Sequence, residues 1–378
     1  MNQWDTERLR KELLERTHLP LEVPPKLYIW GTGLLAQYAI ERFQEVGICI
    51  RGILSSPGYY KDSRLKGIPV VPLENVDKSE LIVLCSISYP AITDYLIANG
   101  YCNFFYYEVF PFLYKTIPAY YMWGDNLWEK MGKAHKELSH LSQMLRHDSL
   151  SLLVLNCLLL YRKTLDDKHL NQAFDISLQR GTQYFDSEIL KFGENEVFVD
   201  CGASVGYISE EFIRLVHNKY KKIYLFEADP YISNESRKIL ENYHDIEYCP
   251  VGLGEKNEIL HFHKGTMATY GTIANDGEQE VQVVRMDDYL IGVCPTMITM
   301  DIEGSEMEAL KGAEKIIKRY RPKMGISVYH KYDDLYRIPL WLESLKLNYK
   351  FYLRHYSRAY CDTVLILSLI HISEPTRP

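Results

Sequence analysis

The sequence predicts an α/β protein built from two doubly wound parallel sheets of Rossmann type, joined by a helical segment. Three observations carry this. Short apolar runs alternate with amphipathic stretches twice along the chain, which is the grammar of strand–helix–strand units. The first strand of each set runs into a glycine turn, GTG at Gly31–Gly33 and DCGASVG at Asp200–Gly206. A length of 378 residues exceeds what one hydrophobic core usually supports, so two sheets belong to two domains.

The N-terminal stretch, residues 1–24, is charged and helical in pattern and has no apolar run of signal-peptide type. Residues 25–115 form the first Rossmann-like domain. KLYIWGTG reads as a strand ending in its turn and LLAQYAIERFQEVG as a helix. IRGILSS, IPVVPLENV and ELIVLCSIS read as three more strands, AITDYLIANG as a helix closed by Gly100, and NFFYYEVF as a last strand. Residues 116–183 are Leu-rich with helical spacing, including LWEKMGKAHKELSHLSQMLR and HDSLSLLVLNCLLLYRKTL, the latter following a cap at Asp148 or Ser149. This is the helical connector; its histidines show no metal-ligand spacing. The aromatic clusters FFYYEVFPFLY and AYYMWGDNLW read as packing.

Residues 184–366 hold the second sheet. EVFVDCGASVGYIS, KKIYLFEADP, IEYCPVGLG, TMITMDIEGSE and RPKMGISVYH are each a strand leading into a loop, with helical segments between several of them. The last stretch, LSLIHISEPTR from Leu367 to Arg377, reads as the translation of a sequencing-library adapter. Residues 367–378 are therefore expected to be a scar that follows native sequence ending at about Ile366.

Composition narrows the function. A formal net charge of −7 argues against a general nucleic-acid binder, because a phosphate backbone attracts Lys and Arg. Single cysteines such as Cys49, Cys157 and Cys361, without a CxxC pair, read as reduced thiols of a cytoplasmic protein. The most apolar stretch, Leu150–Tyr161, is shorter than the ~20 residues a membrane span needs. A small-molecule or glycan substrate is the expected partner, and the oligomeric state is left open.

The chemistry lies at the strand ends of the second sheet. Open α/β sheets bind ligands at the carboxyl ends of their strands. Asp200, Gly202 and Gly206 form D-x-G-x-x-x-G at a strand-to-helix turn, where free N–H groups suit a carboxylate and Asp200 suits an ammonium. The same spacing also serves a tight turn that holds nothing. Glu227 follows Asp200 by 27 positions, one strand–helix–strand unit later, where a carboxylate accepts both hydroxyls of a ribose. Pro230 then fits the first turn of a helix.

These pieces, with VRMDDYL, MDIEGSEMEALKGAE and the closing DTVLI, resemble the FkbM-type methyltransferase family over residues 145–366. The resemblance implies a class I methyltransferase fold that transfers a methyl group from S-adenosyl-L-methionine to a hydroxyl of a glycan, glycan precursor or related small molecule. It implies that Asp200, Gly202, Ala203 and Gly206 line the methionine end, that Glu227 holds the ribose with Ala228 and Asp229 beside it, and that Val251 and Gly252 meet the adenine. Asp301, Glu303 and His330 become the catalytic candidates. His330 suits a base because imidazole titrates near neutral pH, and Asp301 competes for the role. A strand-end histidine bonded to backbone is the plainer reading of His330. A divalent metal bound by Asp301 and Glu303 is a third option, but two nearby carboxylates do not define a metal site, so no metal is assigned.

The first domain is similar in shape to Rossmann-like modules of sugar-modifying enzymes. Its second strand ends in Ser55 and Ser56 where a nicotinamide-dinucleotide site prefers an acid, so a nucleotide-sugar site and a purely structural fold both stand. The alternative function for the whole chain is a nucleotide or sugar-nucleotide binding module with an inactive methyltransferase domain.

Overall fold

The computed structural model describes residues 4–17, 19, 22–56, 62–86, 89–114, 126–263, 272–273 and 279–369. The chain divides into two compact units, Met1–His135 with Cys157–Asn171, and Lys136–Asn156 with Gln172–Pro378. The connector read from the sequence is thus shared between them.

In the first unit, strands β1 (Lys26–Trp30), β2 (Cys49–Leu54), β3 (Ile82–Leu84) and β4 (Phe104–Tyr106) form a parallel sheet in the order β2-β1-β3-β4. Helices Leu34–Glu45 and Tyr89–Ala98 supply the crossovers. The strand expected in IPVVPLENV is not a full strand of this sheet. Ile68–Pro69 forms a ladder with Arg64–Leu65, and the stretch reaches β2 through one parallel bridge of Val70 to Ile53 and the Val71 N–H on the Ile53 carbonyl, because Pro69 and Pro72 have no N–H to extend it. A Cβ on Gly31 would lie 2.4 Å from the Cys85 carbonyl, so the close approach of β1 and β3 ends explains this glycine without a ligand. Phe110 packs on Phe43 and Tyr114, and Phe112 on Trp128, so these aromatics are core. Positions 119–125 of the second cluster lie outside the described residues.

In the second unit, seven strands form one sheet: β5 (Val197–Cys201), β6 (Lys222–Phe226), β7 (Ile246–Cys249), β8 (Met297–Met300), β9 (Lys323–Ser327), β10 (Tyr349–His355) and β11 (Thr363–Leu369). Their order is β7-β6-β5-β8-β9-β11-β10, with β11 antiparallel to both neighbours. The chain winds outward from β5 to β7 and then returns to the other side of β5, so the order reverses between β5 and β8. Phe198, Phe212, Ile223, Leu225 and Phe185 fill the layer between β5, β6 and the Tyr207–Leu215 helix.

Two features were not read from sequence. β10 is one, since its apolar residues alternate with Lys350, Tyr352 and Arg354. The other is a side sheet of Gly252–Leu253, Gln279–Val284, Glu258–His263 and Thr272–Ile273. β11 also runs past Ile366. Leu367 is buried and pairs with Met324 and Phe351, and Ser368 and Leu369 complete the ladder with β10. Backbone pairing asks only for N–H and C=O, and an apolar residue at 367 meets the remaining demand. Residues 370–378 lie outside the described residues.

Arg354 ties β10 to the rest of this unit. It is 2% exposed; its Nε donates to Asp186 Oδ2 at 2.9 Å and its Nη1 to Asp148 Oδ2 at 2.8 Å. Asp148 also accepts the Ser151 N–H and caps the helix Ser149–Thr164. Burial pushes the Asp148 carboxyl up, but Ser151 and the Arg354 guanidinium outweigh it and hold it below the usual range. Its contribution to stability is therefore full at neutral pH and fades as pH falls through the carboxylate range. Replacing Arg354 by Ala leaves the buried Asp186 and the partly buried Asp148 carboxylates without their cation and should destabilise the chain by about 3–5 kcal/mol. Urea unfolding at pH 7 measures this; a change under ~1 kcal/mol would mean the network contributes little.

Candidate active site

The reversal point between β5 and β8 brings the site residues together. β5 and β8 pair with Asp200 opposite Thr299 and Cys201 opposite Met300, so the next residue, Asp301, stands beside the turn that leaves β5. Its N–H donates to the Cys201 carbonyl at 2.8 Å. Gly202 has φ +80°, and a Cβ there would lie 1.8 Å from the Asp301 carbonyl oxygen. Only glycine permits this approach. The N–H groups of Gly202 and Ala203 both donate to the Phe226 carbonyl, which locks the turn onto β6. Gly206, at φ +91°, begins the Tyr207–Leu215 helix, and a Cβ there would meet Leu240.

Asp200 is placed differently from the sequence reading. It is 3% exposed, and its oxygens accept the hydroxyls of Ser209 at 2.7 Å and Thr299 at 2.9 Å. Burial raises its carboxyl to about 6. A carboxylate committed to two internal hydroxyls anchors the turn and leaves little of itself to receive a ligand's ammonium.

Glu227 leaves β6 partly exposed. Its Oε2 accepts the Ser204 N–H at 2.9 Å and its Oε1 the Asp229 N–H at 2.8 Å, so it joins the glycine turn to the loop after β6. Burial, assisted by the charges of Asp229 and Asp200, raises it to about 7 although the two N–H groups pull it down. Asp229 is buried and caps the helix Pro230–Ile239 through the N–H groups of Tyr231 and Ile232. Ala228 lies near Gly252, 3.8 Å from where a Cβ would stand on that glycine, and Val251 is buried beside it.

On the other side of Asp301 lies a polar cluster. Asp301 Oδ2 accepts the Tyr184 hydroxyl at 2.7 Å, and Oδ1 the Tyr329 hydroxyl at 3.2 Å. Burial and the Asp301 charge keep both phenols well above their ordinary range, so they remain donors. Tyr184 fits because β9 carries Gly325: a Cβ there would come within 3.0 Å of the Tyr184 ring. His330 is 1% exposed. Its Nδ1 lies 2.9 Å from Glu306 Oε1, and its Nε2 faces Asp301 Oδ1 at 3.4 Å and Glu303 Oε2 at 3.5 Å. Burial alone would lower the imidazole, but Glu306, Asp301 and Glu303 overcome it and raise it to about 10. The expectation of a histidine titrating near neutral pH is thereby corrected, since three carboxylates hold it protonated. Burial raises Asp301, offset in part by His330. Burial also pushes Glu306 up, but the facing His330 wins and lowers it.

Sequence reasoning missed Tyr184, Tyr329, Glu306 and the hydroxyls of Ser209 and Thr299. Tyr329 and Glu306 sat inside segments already marked, SVYH and DIEGSE. Tyr184 is more than a hundred residues from Asp301 in sequence, and nothing local signals the contact.

Residues 200–351 match the family model of the Methyltransferase FkbM domain. That stretch is similar to FkbM methyltransferase domains, a likeness that supports S-adenosyl-L-methionine-dependent methyl transfer. The fold is similar to that of the crystal structure of Methyltransferase FkbM from Methylobacillus flagellatus KT, with a TM-score of 0.72 and 22% identity over 95% of this chain and 93% of that chain. An rRNA methylase from Streptococcus thermophilus overlaps 48% of this chain and 88% of its own at 15% identity and TM-score 0.30. Aeropyrum pernix fibrillarin with bound S-adenosyl-L-methionine overlaps 51% and 72% at 12% identity and TM-score 0.31. No curated protein matches the chain by sequence. The matched stretch spans all the turns described above, from Asp200 to His330, while Tyr184 precedes it. Among the described residues, no helix is long and apolar enough to cross a membrane.

Gly202→Ala tests the central contact. The substitution should cost at least the about 1–2 kcal/mol of a left-handed L-residue and should displace the Asp301 loop. Thermal denaturation reads the first effect and cofactor affinity the second; a variant matching the parent in both would show that the loops do not meet this closely.

Proposed function

We propose that the FkbM domain methylates a hydroxyl of a glycan, glycan precursor or related small molecule. Asp301 carries this reading. It stands at the reversal point of the sheet with its side chain 28% exposed, and two phenols and an imidazole hold its carboxylate in place. Gly202, Ala203 and Gly206 form the methionine side of the donor site, with Asp200 bracing them from within. Glu227 takes the ribose, with Ala228 and Asp229 alongside, and Val251 and Gly252 lie at the adenine.

Methyl transfer asks mainly that sulfonium and acceptor oxygen be held in line, and positioning supplies much of the acceleration. Asp301 is the group that holds the acceptor oxygen. A carboxylate raised by burial is also a better proton acceptor than an ordinary one. His330 and Glu303 set the charge and direction of Asp301, and His330 is not the base. The free state of all eight cysteines supports a reducing, cytoplasmic setting. Transfer of labelled methyl from S-adenosyl-L-methionine to hydroxylated glycan acceptors tests the reading directly. A folded chain that binds neither the donor nor S-adenosylhomocysteine would favour the inactive-domain alternative.

Glu227→Ala should weaken S-adenosylhomocysteine binding by about 1.5–3 kcal/mol, the value of one charge-assisted bond, with the fold retained. The parent carries a pH signature too. The ribose hydroxyls donate to the ionised carboxylate, and Glu227 ionises near pH 7 in the free protein. Affinity should therefore rise about tenfold from pH 6 to pH 8, as the competent fraction fills. Calorimetry of Glu227→Gln should lose that step; an unchanged pH profile would assign it to another group.

A further inference from the structure

We propose that Asp301 Oδ1, Glu303 Oε2 and His330 Nε2 bind a divalent cation, with Mn²⁺ the ion that fits best. His330 is 1% exposed, yet neither of its ring nitrogens makes a hydrogen bond among the described residues, Nδ1 standing 2.9 Å from Glu306 Oε1 in an ion pair. Nε2 points between two carboxylate oxygens at 3.4 and 3.5 Å, beyond the distance of a good N–H···O bond. Atoms that share a cation at about 2.0–2.2 Å stand roughly 3–3.6 Å apart, and the distances from Nε2 to the Asp301 and Glu303 oxygens match that spacing.

The opposite nitrogen faces a carboxylate, the kind of neighbour that stands behind a metal-binding histidine. Nδ1 lies 2.9 Å from Glu306 Oε1, and Glu306 is fully buried. That same oxygen accepts the N–H groups of Ile302 at 2.9 Å and Gly304 at 3.4 Å, so it is fixed by the loop that carries Asp301 and Glu303. A carboxylate behind a histidine sets the ring's tautomer and strengthens the other nitrogen as a ligand. Glu306 is thus a positioning residue. Asp301, Glu306 and His330 each offer a ligand atom within 4.8 Å of one another, but Oε1 of Glu306 is already engaged by the imidazole and two N–H groups.

Charge and access agree. Three carboxylates surround one imidazole, so the cluster is net negative even with the ring protonated. A cation that binds Nε2 takes the place of its proton, which is released to solvent. Asp301 and Glu303 are 28% and 21% exposed on their side chains, which leaves an open face for water or an acceptor hydroxyl. One imidazole with carboxylate oxygens suits Mn²⁺, whereas Mg²⁺ takes oxygen ligands and keeps its waters. A cation here would draw electron density from an acceptor hydroxyl and ease loss of its proton.

This inference deepens the methyl-transfer reading of the site, and its test uses the metal alone. The full chain, stripped with chelator and dialysed, is titrated with MnCl₂ while free Mn²⁺ is followed by electron paramagnetic resonance. One Mn²⁺ per chain should bind, with Mg²⁺ competing poorly. Glu303→Gln should bind at least tenfold more weakly, and Glu306→Gln about 10–100-fold more weakly. Glu303→Gln is a partly exposed, near-isosteric change, so it remains informative if His330→Ala fails to fold. Absence of Mn²⁺ binding at millimolar concentration, or a folded Glu303→Gln that binds as the parent does, would overturn the site and leave His330 as an ion-pair cation. S-adenosylhomocysteine titrated into the same sample separates the two readings, because loss of nucleoside binding with intact Mn²⁺ binding sinks methyl transfer alone.

Discussion

The carbonyl of Asp301 approaches Gly202 so closely that a Cβ would stand 1.8 Å from it, and the carboxyl edge of the sheet is organised around that contact. It holds the turn after β5 against the loop after β8, the two strands between which the winding reverses. Gly202 and Ala203 bond back to β6, Ser204 holds Glu227, and Asp301 holds Tyr184 and Tyr329. Donor-side and acceptor-side groups are thus fixed relative to each other through backbone, which is stiffer than any side-chain contact. Displacing that carbonyl would move both halves of the site.

Buried charge serves two purposes in this unit. Around Arg354 charge is matched: through Nε and Nη1, two carboxylates and two hydroxyl or carbonyl acceptors meet one guanidinium at hydrogen-bond distance. Such a network pins β10. Around His330 the balance is uneven, with three carboxylates about one ring whose buried nitrogens make no hydrogen bond among the described residues. A structural ion pair would be expected to close its distances. Uneven charge with an exposed edge belongs to a site that meets a further charged or polarisable group.

Much of the frame was legible in the sequence because it depends on local pattern. The strands β5 to β9, β11, the glycine turns and the Asp148 cap follow from apolar runs, from left-handed turns and from a side chain answering nearby N–H groups. β10 was not legible, since Lys350, Tyr352 and Arg354 interrupt its apolar residues and the reason for Arg354 lies in Asp148 and Asp186. IPVVPLENV shows the opposite: its apolar content suggested a full strand, while its prolines limit it to a two-residue ladder and one bridge to β2.

Sequence alone determined which residues stand at the strand ends: Asp200, Glu227 and Asp301 each terminate an apolar run, and a strand's direction puts them on one edge. Tertiary structure decided what each of them does there. Asp200 turned inward because Ser209 and Thr299 offer hydroxyls from a helix and a neighbouring strand. Glu227 became the link between two loops. His330 became a cation because Glu306, Asp301 and Glu303 converge on it. These outcomes depend on the distances between charges and on the burial that strengthens their interaction, and both exist only once the strands have paired.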